Sequence, residues 1–180
     1  MDMFRSLLSN FLEKNALKGV ARFDLRSDDL MSQVATYLTE LIGTPDRKRL
    51  YIDNDHIFFR GQNSNDLPLC SSFWTEDEQM ARNYANPLLL EAKLIEPVIF
   101  IEINSFLDCL ISRFCEHEEF GDYIEANSFL RRLSEAGFFD QFTEIDGIID
   151  PTSNEFGGFR RVYFFESKKL QKLTSTNIHR

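Results

Sequence analysis

Apolar residues recur at two spacings along this chain, and those spacings divide it into helices and strands. Phe4, Leu7, Leu8, Phe11 and Leu12 repeat at helical intervals, which predicts a short amphipathic helix ending before Gly19. A second helix is expected over Leu30, Met31, Val34, Leu38, Leu41 and Ile42, capped by Ser27 or Asp28 and ended by Gly43-Thr44-Pro45. From Leu50 to Arg60 the pattern becomes strand-like, with the β-branched and aromatic run Ile57-Phe58-Phe59. Gln62 to Leu69 is polar and turn-rich and reads as a loop, and Ser71 to Trp74 as a second short strand. Thr75, with Glu78 three residues on, makes a capping-box pattern. The helix it opens carries Met80, Ala81 and Tyr84 toward one side.

Further strands are expected over Leu88 to Leu94 and Val98 to Ile103, separated by Glu96-Pro97. Phe106 to Cys115 and Tyr123 to Ala136 read as helices, the second ending at Gly137. Two closing strands, Ile145 to Ile149 and Val162 to Glu166, flank a segment with Pro151, Asn154, Gly157 and Gly158 that is expected to be a mobile loop. Helices and strands alternate without a βαβ rhythm, so the pattern favours an α+β fold over a doubly wound sheet. At 180 residues a single domain is expected, with residues 1–50 a helical N-terminal extension packed on a core of residues 51–170.

Composition narrows the class. The charged and hydrophobic fractions, 27% and 43%, are those of a globular protein with a sizeable core, and most of the eighteen Phe residues must fill it. A net charge of −9 disfavours a phosphate backbone as ligand. The basic runs Arg47-Lys48-Arg49, Arg160-Arg161 and Lys168-Lys169 are short and read as solvated faces. Cys70, Cys109 and Cys115 form neither a disulfide framework nor a metal spacing, and the three histidines are scattered, so no metal is expected. The N-terminus shows neither a secretory signal nor a membrane span, which leads us to expect a cytoplasmic protein, in its own cell or in a host cell.

The chemistry concentrates between residues 57 and 84. Arg60 stands at a strand end, where its planar fork of donors suits phosphate or carboxylate, and equally a structural salt bridge. Gly61 beside it would let a ligand approach the backbone. Ser72 and Thr75 offer hydroxyls to a ribose or a neighbouring carboxylate, although Thr75 also serves as a helix cap. Phe73 and Trp74 should face opposite sides of their strand, so that one could stack on a flat ring while the other fills the core.

A strand ending in Arg60-Gly61, then Ser72-Phe73-Trp74-Thr75-Glu76-Asp77, then a helix with Ala81 and Tyr84, resembles the front half of the ADP-ribosyltransferase family. Asp146-Gly147-Ile148 and Val162-Tyr163-Phe164-Phe165 resemble the back half of its compact bacterial and phage members. Phe59-Arg60-Gly61 is also similar to the string that names the FRG domain. The resemblance spans residues 56 to 166. It implies a split antiparallel β-sandwich with NAD lying in the cleft between two small sheets. It also implies that Arg60 contacts the NAD phosphates and Ser72 braces the site, with Tyr84 and Phe73 or Trp74 shaping the nicotinamide pocket. A carboxylate would bind a ribose hydroxyl and stabilise the oxocarbenium-like transition state as nicotinamide leaves. Asp146 is the first candidate and Glu144 the second. An aspartate here departs from the family's usual glutamate, and Asp150, Glu155 and Glu166 stand as substitutes.

The activity so implied is mono-ADP-ribosyl transfer from NAD to a macromolecular acceptor, protein rather than nucleic acid, by a toxin, effector or phage-encoded modifier. Transfer to water instead would make an NAD glycohydrolase. A family-like fold without turnover would be a protein-binding module.

Overall fold

The structure is a computed structural model that describes residues 25–62, 69, 73–85, 87–115, 121–151 and 160–178. The predicted N-terminal amphipathic helix lies outside these residues, as does most of the expected loop between Asp150 and Arg161. The described chain is α+β, with four helices and eight strands. It divides into two compact units: one draws on residues 1–45 and 110–141, the other on 46–109 and 142–180.

In the first unit, α1 (Leu25–Ile42) buries Met31, Val34, Ala35, Leu38 and Ile42 along one stripe, the period-3.6 pattern read from the sequence. It packs against α4 (Gly121–Glu135), which buries Ala126, Phe129, Leu130 and Leu133. Because α1 begins at Leu25, Ser27 and Asp28 fall inside its first turn and do not precede it as caps. Its end agrees with expectation: Gly43 N donates to Thr39 O at 2.9 Å, and the Thr44 hydroxyl donates to Glu40 O at 2.8 Å. α4 stops at Gly137, whose φ of +76° is a left-handed conformation open to glycine at little cost.

The second unit is one eight-stranded sheet in the order β1-β5-β6-β7-β3-β2-β4-β8. Its strands are β1 (Arg49–Ile52), β2 (Ile57–Gln62), β3 (Phe73–Thr75), β4 (Leu88–Leu94), β5 (Val98–Glu102), β6 (Gly147–Asp150), β7 (Arg161–Phe164) and β8 (Leu170–Asn177). The strand expected over Leu50 to Arg60 is two strands, broken by a turn with Asp55 at φ +70°. β8 was not anticipated, because its run of polar residues carries no alternation. All pairs are antiparallel except β5–β6. The sheet is therefore mixed, and the two separate antiparallel sheets expected from the sequence are continuous here.

Side chains from all eight strands, from Ile52 on one edge strand to Leu170 on the other, meet in a single buried cluster with Phe58, Trp74, Leu90, Phe100 and Phe164. Edge strands can share a cluster only if the sheet curls, so it has an inner face filled by this core and an outer face. The pairing is uneven around the curl. β2 and β4 share six registered pairs, but among the described residues β2 and β3 share one, Phe59 with Thr75. That single pair joins a five-stranded part to a three-stranded part. On the outer face, α2 (Glu78–Tyr84) lays Ala81 and Ala85 against Leu89, while α3 (Phe106–Phe114) starts beside the Phe73 and Tyr163 rings.

Candidate functional site

Strand alternation decides which of the candidate residues can meet. On β2, Phe58, Arg60 and Gln62 are buried on the inner face, and Phe59 and Gly61 point outward. Arg60 is only 3% exposed. Its guanidinium lies 4.6 Å from the Trp74 ring centroid and donates to Gln62 Oε1 at 2.5 Å and to Leu69 O at 3.2 Å. Trp74 Nε1 donates to the same Leu69 carbonyl at 2.8 Å. An aromatic face and two carbonyl oxygens thus fix the plane of the fork. A phosphate reaching this guanidinium along those donors would have to displace Gln62 or Leu69.

The other candidates of this stretch lie on the outer face or outside the description. Ser72 is outside the described residues. Phe73 points outward, its ring 5.3 Å from Tyr163 and 6.3 Å from Phe106, so Phe73 and Trp74 face opposite sides as the alternation required. Trp74 is the one in the inner core. Thr75 is buried, and its hydroxyl accepts from Asp77 N at 3.1 Å. The helix cap is Asp77 and not Thr75: its carboxylate accepts from Met80 N at 2.7 Å, so the capping box read from Thr75 and Glu78 is displaced by two residues. The physical reason is that the Thr75 side chain is committed to the turn that leads into the cap.

Gly61 is accounted for by packing. A Cβ there would lie 2.3 Å from Ala85 N and 2.4 Å from Ala81 O, so the missing side chain admits the end of α2 onto β2, where a ligand had been expected. Tyr84, at the last turn of α2, is 45% exposed and sits on the opposite side of the sheet from Arg60. The structure therefore brings Arg60, Gln62 and Trp74 together and leaves Gly61, Phe73, Thr75 and Tyr84 on the other face.

The acids have separate positions. Asp146 precedes β6, with a side chain 23% exposed. Its Oδ2 accepts from Ile99 N at 2.8 Å and its Oδ1 pairs with Lys169 Nζ at 2.6 Å. It thereby ties the start of β5 to the turn between β7 and β8. Nearby, the Lys168 ammonium is raised above its ordinary pKa, first by its hydrogen bond to Glu166 and then by the charges of Glu166, Asp146 and Glu96. Glu144 is 77% exposed and pairs with Arg49 at 3.0 Å. Asp150 is buried and accepts from Ser105 N and Phe106 N, both at 2.9 Å, so it caps α3 from another element. Glu155 lies outside the described residues.

Sequence reasoning missed Glu76. Its carboxylate follows β3 and is held through Oε2 by Arg160, with Nε at 2.7 Å and Nη2 also in contact. His56 Nε2 lies 2.8 Å from Oε1, an ion-pair distance without hydrogen-bonding direction. The start of β2, the end of β3 and the start of β7 thus converge on one carboxylate. The partners are 20 and 84 residues away, and no local spacing could have revealed them.

Among the described residues there is no group of three or more His, Cys, Asp or Glu side chains placed to hold a metal ion. No helix among them is long and apolar enough to cross a membrane. No protein-family model matches the chain, and no curated protein or solved structure is detectably similar to it.

Proposed function

We propose that this chain is an NAD-using mono-ADP-ribosyltransferase. The nicotinamide–ribose bond breaks with its electron pair going to nicotinamide. The ribose carbon then bonds to a nucleophile on a macromolecule, which gives up a proton.

The observation that carries the reading is Arg60. A permanent cation is held in one orientation by Trp74, Gln62 and Leu69, at the junction where, among the described residues, β2 and β3 share one registered pair. Division of the sheet into five and three strands is compatible with the split sandwich that the resemblance implies. In this reading Arg60 grips the pyrophosphate once Gln62 or Leu69 yields. Asp146 is the acid assigned to the ribose, Glu144 is its control, and Glu76 is a third acid to be compared with them.

A catalytically silent binding module is the second reading. It is favoured by the division of the candidates between two faces and by the structural partners of Asp146 and Asp150.

Labelled NAD incubated with the pure protein, alone and with cell lysate, separates the readings. Nicotinamide release with label on a lysate macromolecule supports the transferase. Release without transfer makes it a glycohydrolase, and no release from a folded sample leaves the binding module. Arg60→Lys keeps the charge and loses the planar fork. It is expected to weaken NAD binding by about ten- to a hundredfold, the worth of one charged hydrogen bond. Unchanged affinity, measured by calorimetry, would remove Arg60 from the site.

A further inference from the structure

Beside its buried stripe, α1 carries Thr36, Tyr37 and Glu40, and the last turn of α3 lies against them. The Tyr37 and Phe114 rings meet edge to face, their centroids 5.5 Å apart. These residues and Arg113 line a cavity of about 300 Å³ that opens to solvent. That volume is at the lower end of the range for small-molecule sites. Every residue lining it belongs to the first unit.

Two opposite charges border the cavity, and neither is held by the protein. Arg113 lies over the Tyr37 ring, 4.8 Å from its centroid, and 6.0 Å from that of Phe114. The π-face of each ring attracts the cation and fixes where it sits. Among the described residues its guanidinium has no hydrogen-bond acceptor and no carboxylate partner. Arg49, Arg82 and Arg160 are exposed too, and each of them holds a carboxylate. The donors of the Arg113 fork thus stay open, in the planar arrangement that suits a carboxylate. Glu40 is exposed, and among the described residues its carboxylate has neither a donor nor a cation.

We propose that this cavity binds a small zwitterion with an apolar body, of the free amino acid class. Its carboxylate takes the Arg113 fork, its ammonium faces Glu40, and its apolar part packs on Phe114 and Tyr37. Charge complementarity selects this class. An anion alone would meet the Glu40 carboxylate, and a cation alone the Arg113 guanidinium, whereas a zwitterion satisfies both. The aromatic wall adds a preference for an apolar side chain.

Titration of the full chain with three probes, followed by NMR at the Phe114 ring, tests this. Phenylalanine carries both charges, 3-phenylpropionate lacks the ammonium, and phenethylamine lacks the carboxylate. Wild type is expected to bind phenylalanine about tenfold more tightly than either of the others, the worth of one charged hydrogen bond. Arg113→Met should weaken phenylalanine and phenylpropionate about tenfold, without weakening phenethylamine. Glu40→Gln should weaken phenylalanine and phenethylamine, without weakening phenylpropionate. Both side chains are exposed, so neither change opens the core, and the wild-type comparison stands without the variants. A wild-type ring signal that stays still up to about 10 mM phenylalanine would overturn the proposal. So would equal affinity for the three probes, or variant losses that ignore which charge the probe carries.

Discussion

Single residues here are explained by what their side chains, or missing side chains, touch. Gly61 is a packing glycine, since its would-be Cβ meets the backbone of Ala81, Tyr84 and Ala85 rather than the end of a flexible side chain. Gly61→Ala is therefore expected to cost about 3 kcal/mol, at the upper end for overpacking, read as a lower denaturation midpoint at unchanged slope. A loss within 0.5 kcal/mol, roughly the scale of a surface change, would show that α2 moves away freely.

Asp146 carries both a structural role and a proposed catalytic one, and the two separate by variant. Asp146→Asn and Lys169→Met both break the ion pair and should each cost about 1–2 kcal/mol of stability. Only Asp146→Asn should abolish nicotinamide release if Asp146 is the acid. Equal release by Asp146→Asn and wild type would pass the role to Glu144 or Glu76, and the corresponding glutamines would decide between them.

At the level of elements, period and punctuation were the legible part. The strands over Leu88–Leu94 and Val98–Glu102 and the helices over Phe106–Phe114 and Gly121–Glu135 lie within two residues of expectation, because long apolar runs bounded by Pro or Gly leave few alternatives. The start of α2 was misread, since Thr75, Asp77 and Glu78 each suit a helix start and only their bonds rank them. Asp77→Ala is expected to cost about 1 kcal/mol, the usual worth of a cap, and to raise amide exchange at Met80. Thr75→Ser, which keeps the hydroxyl that accepts from Asp77 N, should leave Met80 unaffected. Exchange at Met80 that responds to Thr75→Ser and not to Asp77→Ala would restore Thr75 as the cap.

For the whole molecule, net charge sets the conditions for association. Two copies carrying −9 each repel, and salt screens that repulsion over about 8 Å at physiological strength. The sequence alone determined the α+β class, the stripe that α1 buries, and the alternation that sends Phe73 and Trp74 to opposite faces. Those are local properties, set by helix and strand periods. Only the tertiary structure decided that Arg60 turns inward onto Trp74, that α2 covers Gly61, that Asp146 ties β5 to Lys169, and that Glu76 meets Arg160. Each of these joins residues brought together by sheet order and curl, which long-range pairing fixes and local pattern does not encode.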